Sequence, residues 1–186
     1  MTERKRRSMS WSACKEAMAG WPAPGLVDLI HELYALNPEN RRFLHSRLRP
    51  EAAKENLNQA IDAVKKILNS AGEPGGRFSQ AAIKRVVDQF AKASGNPAAV
   101  AALLITDLEI ALPILRAIGD YEPLIDNLYS TLRRLDKLLS SLPIEIAAHF
   151  VPRISQLALT WNNTFGYGIS DELGEFAREW QARTGK

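Results

Sequence analysis

The stretch PAAVAALLITDLEIALPILRAI, residues Pro97 to Ile118, decides the fold, because it is apolar around most of a helix's circumference. A helix of that kind belongs in the middle of a packed structure. Asp107 and Glu109 stand near its centre and would be costly in lipid, so it reads as a buried core helix rather than a membrane span. Pro113 is expected to kink it. The two acids are two residues apart, which points them to different sides and denies them the role of a paired acid and base. Asp107 then reads as a buried carboxylate, expected to be neutralised by an arginine.

Working outward, helices follow at short intervals on both sides. Ser94-Gly95-Asn96-Pro97 closes one helix with glycine and opens the next with asparagine and proline. The closed helix starts at Ser79 and turns Ile83, Val86, Val87 and Phe90 inward, with Lys84, Arg85, Asp88 and Lys92 toward water. Before it, the glycine and proline of Ala71 to Gly76 mark a loop, and Pro50 begins a helix to about Asn69 with Leu57, Ile61, Val64 and Leu68 inward. Asn37-Pro38 opens a helix to Leu48, preceded by Leu26 to Leu36, where Leu26, Leu29, Ile30 and Leu33 form one stripe. Ser10 to Trp21 can form a short amphipathic helix with Trp11, Cys14, Ala17 and Met18 on one side.

Downstream of Gly119-Asp120, residues Pro123 to Leu142 place Leu124, Leu128, Leu132, Leu135 and Leu139 on one face, opposite Arg133, Arg134 and Lys137. Pro143 opens a helix with Ala147, Phe150, Ile154, Leu157 and Trp161 aligned and a bend expected at Pro152. After the turn at Gly166-Tyr167-Gly168, a last helix from Ser170 buries Leu173, Phe176, Ala177 and Trp180. No alternating strand of convincing length interrupts this pattern. The expected fold is all-α: about eight helices in an irregular multi-helix bundle or a two-layered helical array, with residues 10–186 as one domain.

Composition agrees with a folded chain. Of 186 residues, 46% are hydrophobic and 24% charged, far from the signature of disorder. The formal net charge of +3 equals that of residues 1–7 alone, where Arg4, Lys5, Arg6 and Arg7 outweigh Glu3. Residues 1–9 therefore read as a basic, disordered arm, and a basic face covering the whole domain is not supported. Cys14 is the single cysteine, so no internal disulfide can form and a thiolate metal cluster is excluded. A reducing, cytoplasmic setting without secretion or membrane insertion is expected.

Three passages make the chain look familiar. Leu26-Val27-Asp28-Leu29-Ile30-His31-Glu32-Leu33-Tyr34, running on through Asn37-Pro38-Glu39-Asn40-Arg41-Arg42-Phe43-Leu44 to Arg47-Leu48, resembles the opening of an uncharacterised bacterial family classed as a domain of unknown function. Gly95-Asn96-Pro97, and Phe165-Gly166-Tyr167-Gly168 on to Asp171-Glu172-Leu173, look like its later landmarks. The resemblance implies a compact helical protein and supplies no activity, substrate or catalytic residue.

Two groups of residues stand out as contact sites. Arg41, Arg42, His45, Arg47 and Arg49 crowd one short stretch, with Arg41 and Arg42 sharing a helix face with His45, and could hold a phosphate or an acidic partner. The plainer reading is a solvated face paired with Glu39, Glu51 or neighbouring helices. Trp161, Phe165, Tyr167 and Trp180 surround a glycine turn and would either line a groove for a peptide or pack the last helix.

The histidines His31, His45 and His149 show no tight zinc spacing, Cys14 reads as a buried inert thiol, and Gly72, Gly75 and Gly76 lack a phosphate-loop pattern. With no catalytic motif and no cofactor implied, the expectation is a non-enzymatic intracellular module that binds a protein or peptide between helices. The alternatives are a nucleic-acid-associated protein using the basic arm and Arg41 to Arg49, or an enzyme whose site assembles only in the fold. The sequence does not set the oligomeric state.

Overall fold

In a computed structural model of the chain, the described residues are 9–73, 75–166 and 168–185. They form ten helices and no strand: α1 (Trp11–Met18), α2 (Ala23–Leu36), α3 (Pro38–Leu48), α4 (Pro50–Asn69), α5 (Gln80–Ser94), α6 (Pro97–Ile118), α7 (Glu122–Leu139), α8 (Ile144–Ala148), α9 (Val151–Thr160) and α10 (Ile169–Thr184). The fold is an all-α multi-helix bundle. Residues 1–8 of the basic arm, and Tyr167, lie outside the described residues. The chain divides into two compact units, Met1–Leu44 and His45–Lys186.

The second unit is organised by α6. Val100, Ala101, Leu103, Leu104, Ile105, Leu108, Ala111, Leu112 and Leu115 are all buried, on more than one side of the helix, and α6 packs on α4, α5, α7 and α9. By length and composition it could cross a membrane, but here its apolar surface is covered by four neighbouring helices. The five leucines expected on one face of α7 are all buried. The inner side of α10 packs on α7, α8 and α9.

Local chemistry sets the helix ends. Asn96 Oδ1 accepts from the Ala98 and Ala99 N–H groups at 3.1 and 3.3 Å, and Gly95 ends α5 in the left-handed conformation at φ 52°, where a side chain would be strained. Ser79 Oγ accepts from Ala82 N–H at 3.2 Å and Asn37 Oδ1 from Asn40 N–H at 2.8 Å, so two further caps fall where the sequence places them.

The two internal prolines behave differently from each other. Pro113 lies on the exposed side of α6, which runs through it as one helix. The carbonyl that loses its N–H partner there, that of Glu109, belongs to a half-exposed residue and does not need to be satisfied by protein. Pro152 does more than bend its helix: it sits in the first turn of α9, and the helix expected from Pro143 onward is split at His149-Phe150 into α8 and α9.

The first unit has a different character. Neither α1 nor α2 contains a buried residue. The amphipathic pattern of α1 is present, yet Trp11 is exposed, and Cys14 is half-buried rather than enclosed.

Candidate functional site

Arg41, Arg42, His45 and Arg47 of the basic group lie on the one helix α3, and Arg49 follows it. Arg41 is anchored locally: its Nε donates to the Tyr34 carbonyl at 3.2 Å and its guanidinium lies 5.8 Å from the Tyr34 ring centroid. Arg41 and Arg42 belong to the first unit, whereas His45, Arg47 and Arg49 belong to the second, with Arg49 just beyond α3. All five are exposed.

The described aromatics of the second group pack inward. Trp161 and Trp180 are buried members of the core, and Phe165 packs against that core with its ring centroid 5.4 Å from Trp161's. Trp180 Nε1 donates to Asp136 Oδ1 at 3.1 Å. Ser170, from which the last helix is expected to run, lies inside α10, which starts one residue earlier. Its buried hydroxyl accepts from the Thr164 and Phe165 N–H groups at 3.2 and 3.1 Å and donates to the Trp161 carbonyl at 2.8 Å, so it holds the loop that carries the aromatics.

Asp107 is buried as expected, but its partners are not arginines. Thr131 Oγ1 donates to Oδ2 at 2.6 Å and Asn127 Nδ2 donates to both oxygens at 3.2 and 3.4 Å, so α7 satisfies the carboxylate with neutral groups. Burial pushes its pKa from 3.8 up to about 6, and the two hydrogen-bond donors pull it part of the way back. Asp107 has no exposed surface. The arginine pairs instead with Glu109: Arg153 Nε and Nη2 reach the two carboxylate oxygens at 3.0 and 2.7 Å and join α9 to α6. Among the described residues, no three His, Cys, Asp or Glu side chains could hold a metal ion.

What the fold adds is an open cleft of about 410 Å³ where the end of α5 and the start of α6 meet the last turns of α7. Ala91, Pro97, Val100 and Leu138 give it an apolar lining, and Gly95 and Asn96 line it at the helix junction. Arg134 and Lys137 stand on the α7 side, and no acid lines the cleft. Arg134 is tied to Asp88 of α5 at 2.7 Å, whereas Lys137 has no ion-pair partner among the described residues. At Gly95 the Arg47 guanidinium occupies the space that a Cβ would fill, which adds a third cation beside the junction. The N-terminal end of α6, with its partial positive charge, points the same way electrostatically.

No family model, curated protein or solved structure matches the chain.

The cleft is therefore read from its own chemistry. Two of its components were visible beforehand: the stop-and-restart signal at Ser94 to Pro97, and Arg134 and Lys137 on the polar side of their helix. What no sequence signal provided was that these two features, about forty residues apart, would adjoin.

Proposed function

We propose that the protein is a non-enzymatic interaction module of the cell interior, and that the α5–α6–α7 cleft receives a short segment of a partner protein bearing an apolar side chain beside carboxylates. The single observation carrying this reading is the combination of apolar walls with Arg134, Lys137 and Arg47 and no lining acid. Apolar walls favour a buried side chain, while the cations select the charge that flanks it. The basic N-terminal arm has the wrong sign to occupy the site itself. We further propose membership of the uncharacterised bacterial helical family that Leu26 to Leu48 resembles.

The test is selection of random peptides displayed on phage against the full chain. Peptides with glutamate or aspartate next to leucine, isoleucine or phenylalanine are expected to be enriched, and a synthetic representative should bind more weakly as salt rises. Lys137→Glu reverses an exposed charge and should weaken that peptide roughly tenfold without altering the helical circular dichroism. Enrichment of no motif, of basic peptides, or of the same peptides by the Lys137→Glu protein would refute the reading. Binding of mixed-sequence DNA or RNA with a steep salt dependence, in place of peptide, would favour a nucleic-acid role through the arm and Arg41 to Arg49.

A further inference from the structure

Resting on that reading of the cleft, we infer that the partner segment continues out of it as an acidic run of about four residues, laid along the line where α5 and α7 meet. The whole track lies within His45–Lys186. Gln80 Nε2 donates to the Asp126 carbonyl at 3.3 Å, and Arg134 pairs with Asp88 at 2.7 Å. Gln80 is thus level with Asp126 and Asp88 with Arg134, so the two helices run parallel in one register. Lys84 and Lys92 stand one turn to either side of Asp88 on the same strip of α5, and Arg133 stands one turn before Lys137 on α7. All four are exposed, and none has an ion-pair partner among the described residues.

The acids of these two helices do not cancel that charge. Asp88 is taken by Arg134, and Asp136 accepts from Trp180 Nε1 and lies 3.8 Å from Arg183. Glu122 and Asp126 belong to the start of α7, beyond the level of Lys84. The cations therefore flank a neutral pair, with the apolar cleft at one end and carboxylates at the other. Lys84 to Lys92 spans about 12 Å at the helical rise, which an extended chain covers in about four residues. A nucleic-acid duplex offers phosphates but no side chain for the apolar lining at the end of the track, whereas a polypeptide with one apolar anchor matches both.

Fluorescence anisotropy on the full chain tests this with labelled peptides of equal length, each carrying a leucine-phenylalanine anchor followed, or preceded, by one, four or eight glutamates. In one of the two chain directions affinity is expected to rise roughly tenfold from one glutamate to four, and no further with eight, because the track ends at Asp126. Lys84→Glu with Arg133→Glu should remove that gain, keep the helical circular dichroism, and leave the one-glutamate peptide within about twofold of its wild-type affinity. Replacing the two glutamates farthest from the anchor by lysines should restore the gain for this variant. A wild-type protein that does not bind the one-glutamate peptide refutes the reading of the cleft, and the inference with it. Binding of that peptide without a gain at four, a gain that continues to eight, or a variant that keeps the gain overturns the acidic track alone. A mixed-sequence DNA duplex that displaces the four-glutamate peptide from the wild type, and no longer binds the variant, would assign the track to nucleic acid and overturn the inference too.

Discussion

Truncating Trp180 to alanine is expected to destabilise the protein by about 4 kcal/mol, the cost typical of removing a large buried aromatic without collapse of the space it leaves. The indole is 1% exposed and fully enclosed where α10 meets α7, α8 and α9. It also carries polar attachments: the 3.1 Å hydrogen bond to Asp136 and the Arg183 guanidinium 4.9 Å from its ring centroid. Since domains of this size have a total stability on the order of 5–15 kcal/mol, the variant should sit close to unfolding. Urea denaturation followed by circular dichroism at 222 nm measures the loss, and the other three tryptophans make fluorescence a less direct readout. Trp180→Phe keeps most of the apolar volume and should lose only about 1–2 kcal/mol, mainly for the hydrogen bond and the residual gap. An alanine variant within about 1 kcal/mol of wild type would show that α10 is not a structural element of the bundle.

The helical architecture was legible because it rests on local rules that neighbouring residues obey together. Asn96, Ser79 and Asn37 cap where their side chains and the following residues say they should, and the leucines of α7 repeat at the helical pitch toward one core. Two features were illegible for one physical reason, that they depend on which distant residues meet. Asp107 could have found any of 24 lysines and arginines, yet its partners are Asn127 and Thr131, which reach it only because α7 lies beside α6. The cleft likewise exists because the end of α7 lies beside the α5–α6 junction. Trp180 was legible by contrast: its place on the inner face of the last helix reads as buried in the sequence, and it is buried in the core. The first unit shows the limit of periodicity itself: an apolar stripe marks a face that favours cover, and says nothing about whether the same chain supplies it.

The buried carboxylate gives a prediction of opposite sign to the usual acid instability of proteins. In the unfolded chain Asp107 titrates near its ordinary 3.8, and in the bundle near about 6. The folded state therefore holds the proton more tightly, and this group's stabilising contribution is complete below 3.8 and is lost as the pH rises through about 6. The gap corresponds to about 3 kcal/mol, taken from the two values as an order of magnitude. Urea denaturation of wild type and Asp107→Asn at matched pH isolates this group, because every other titrating residue is common to both. The asparagine keeps the shape and cannot ionise. The wild type should become less stable relative to the variant by about 3 kcal/mol between about pH 3 and about pH 7, with the steepest change between 3.8 and about 6. Asp107→Ala should behave differently again: it leaves the Asn127 amide and the Thr131 hydroxyl buried without their acceptor and should be destabilised by about 3 kcal/mol even at low pH. A pH-independent difference between wild type and Asp107→Asn would mean that the carboxylate keeps an ordinary affinity for its proton, which its enclosure between α6 and α7, with only neutral donors in contact, does not allow.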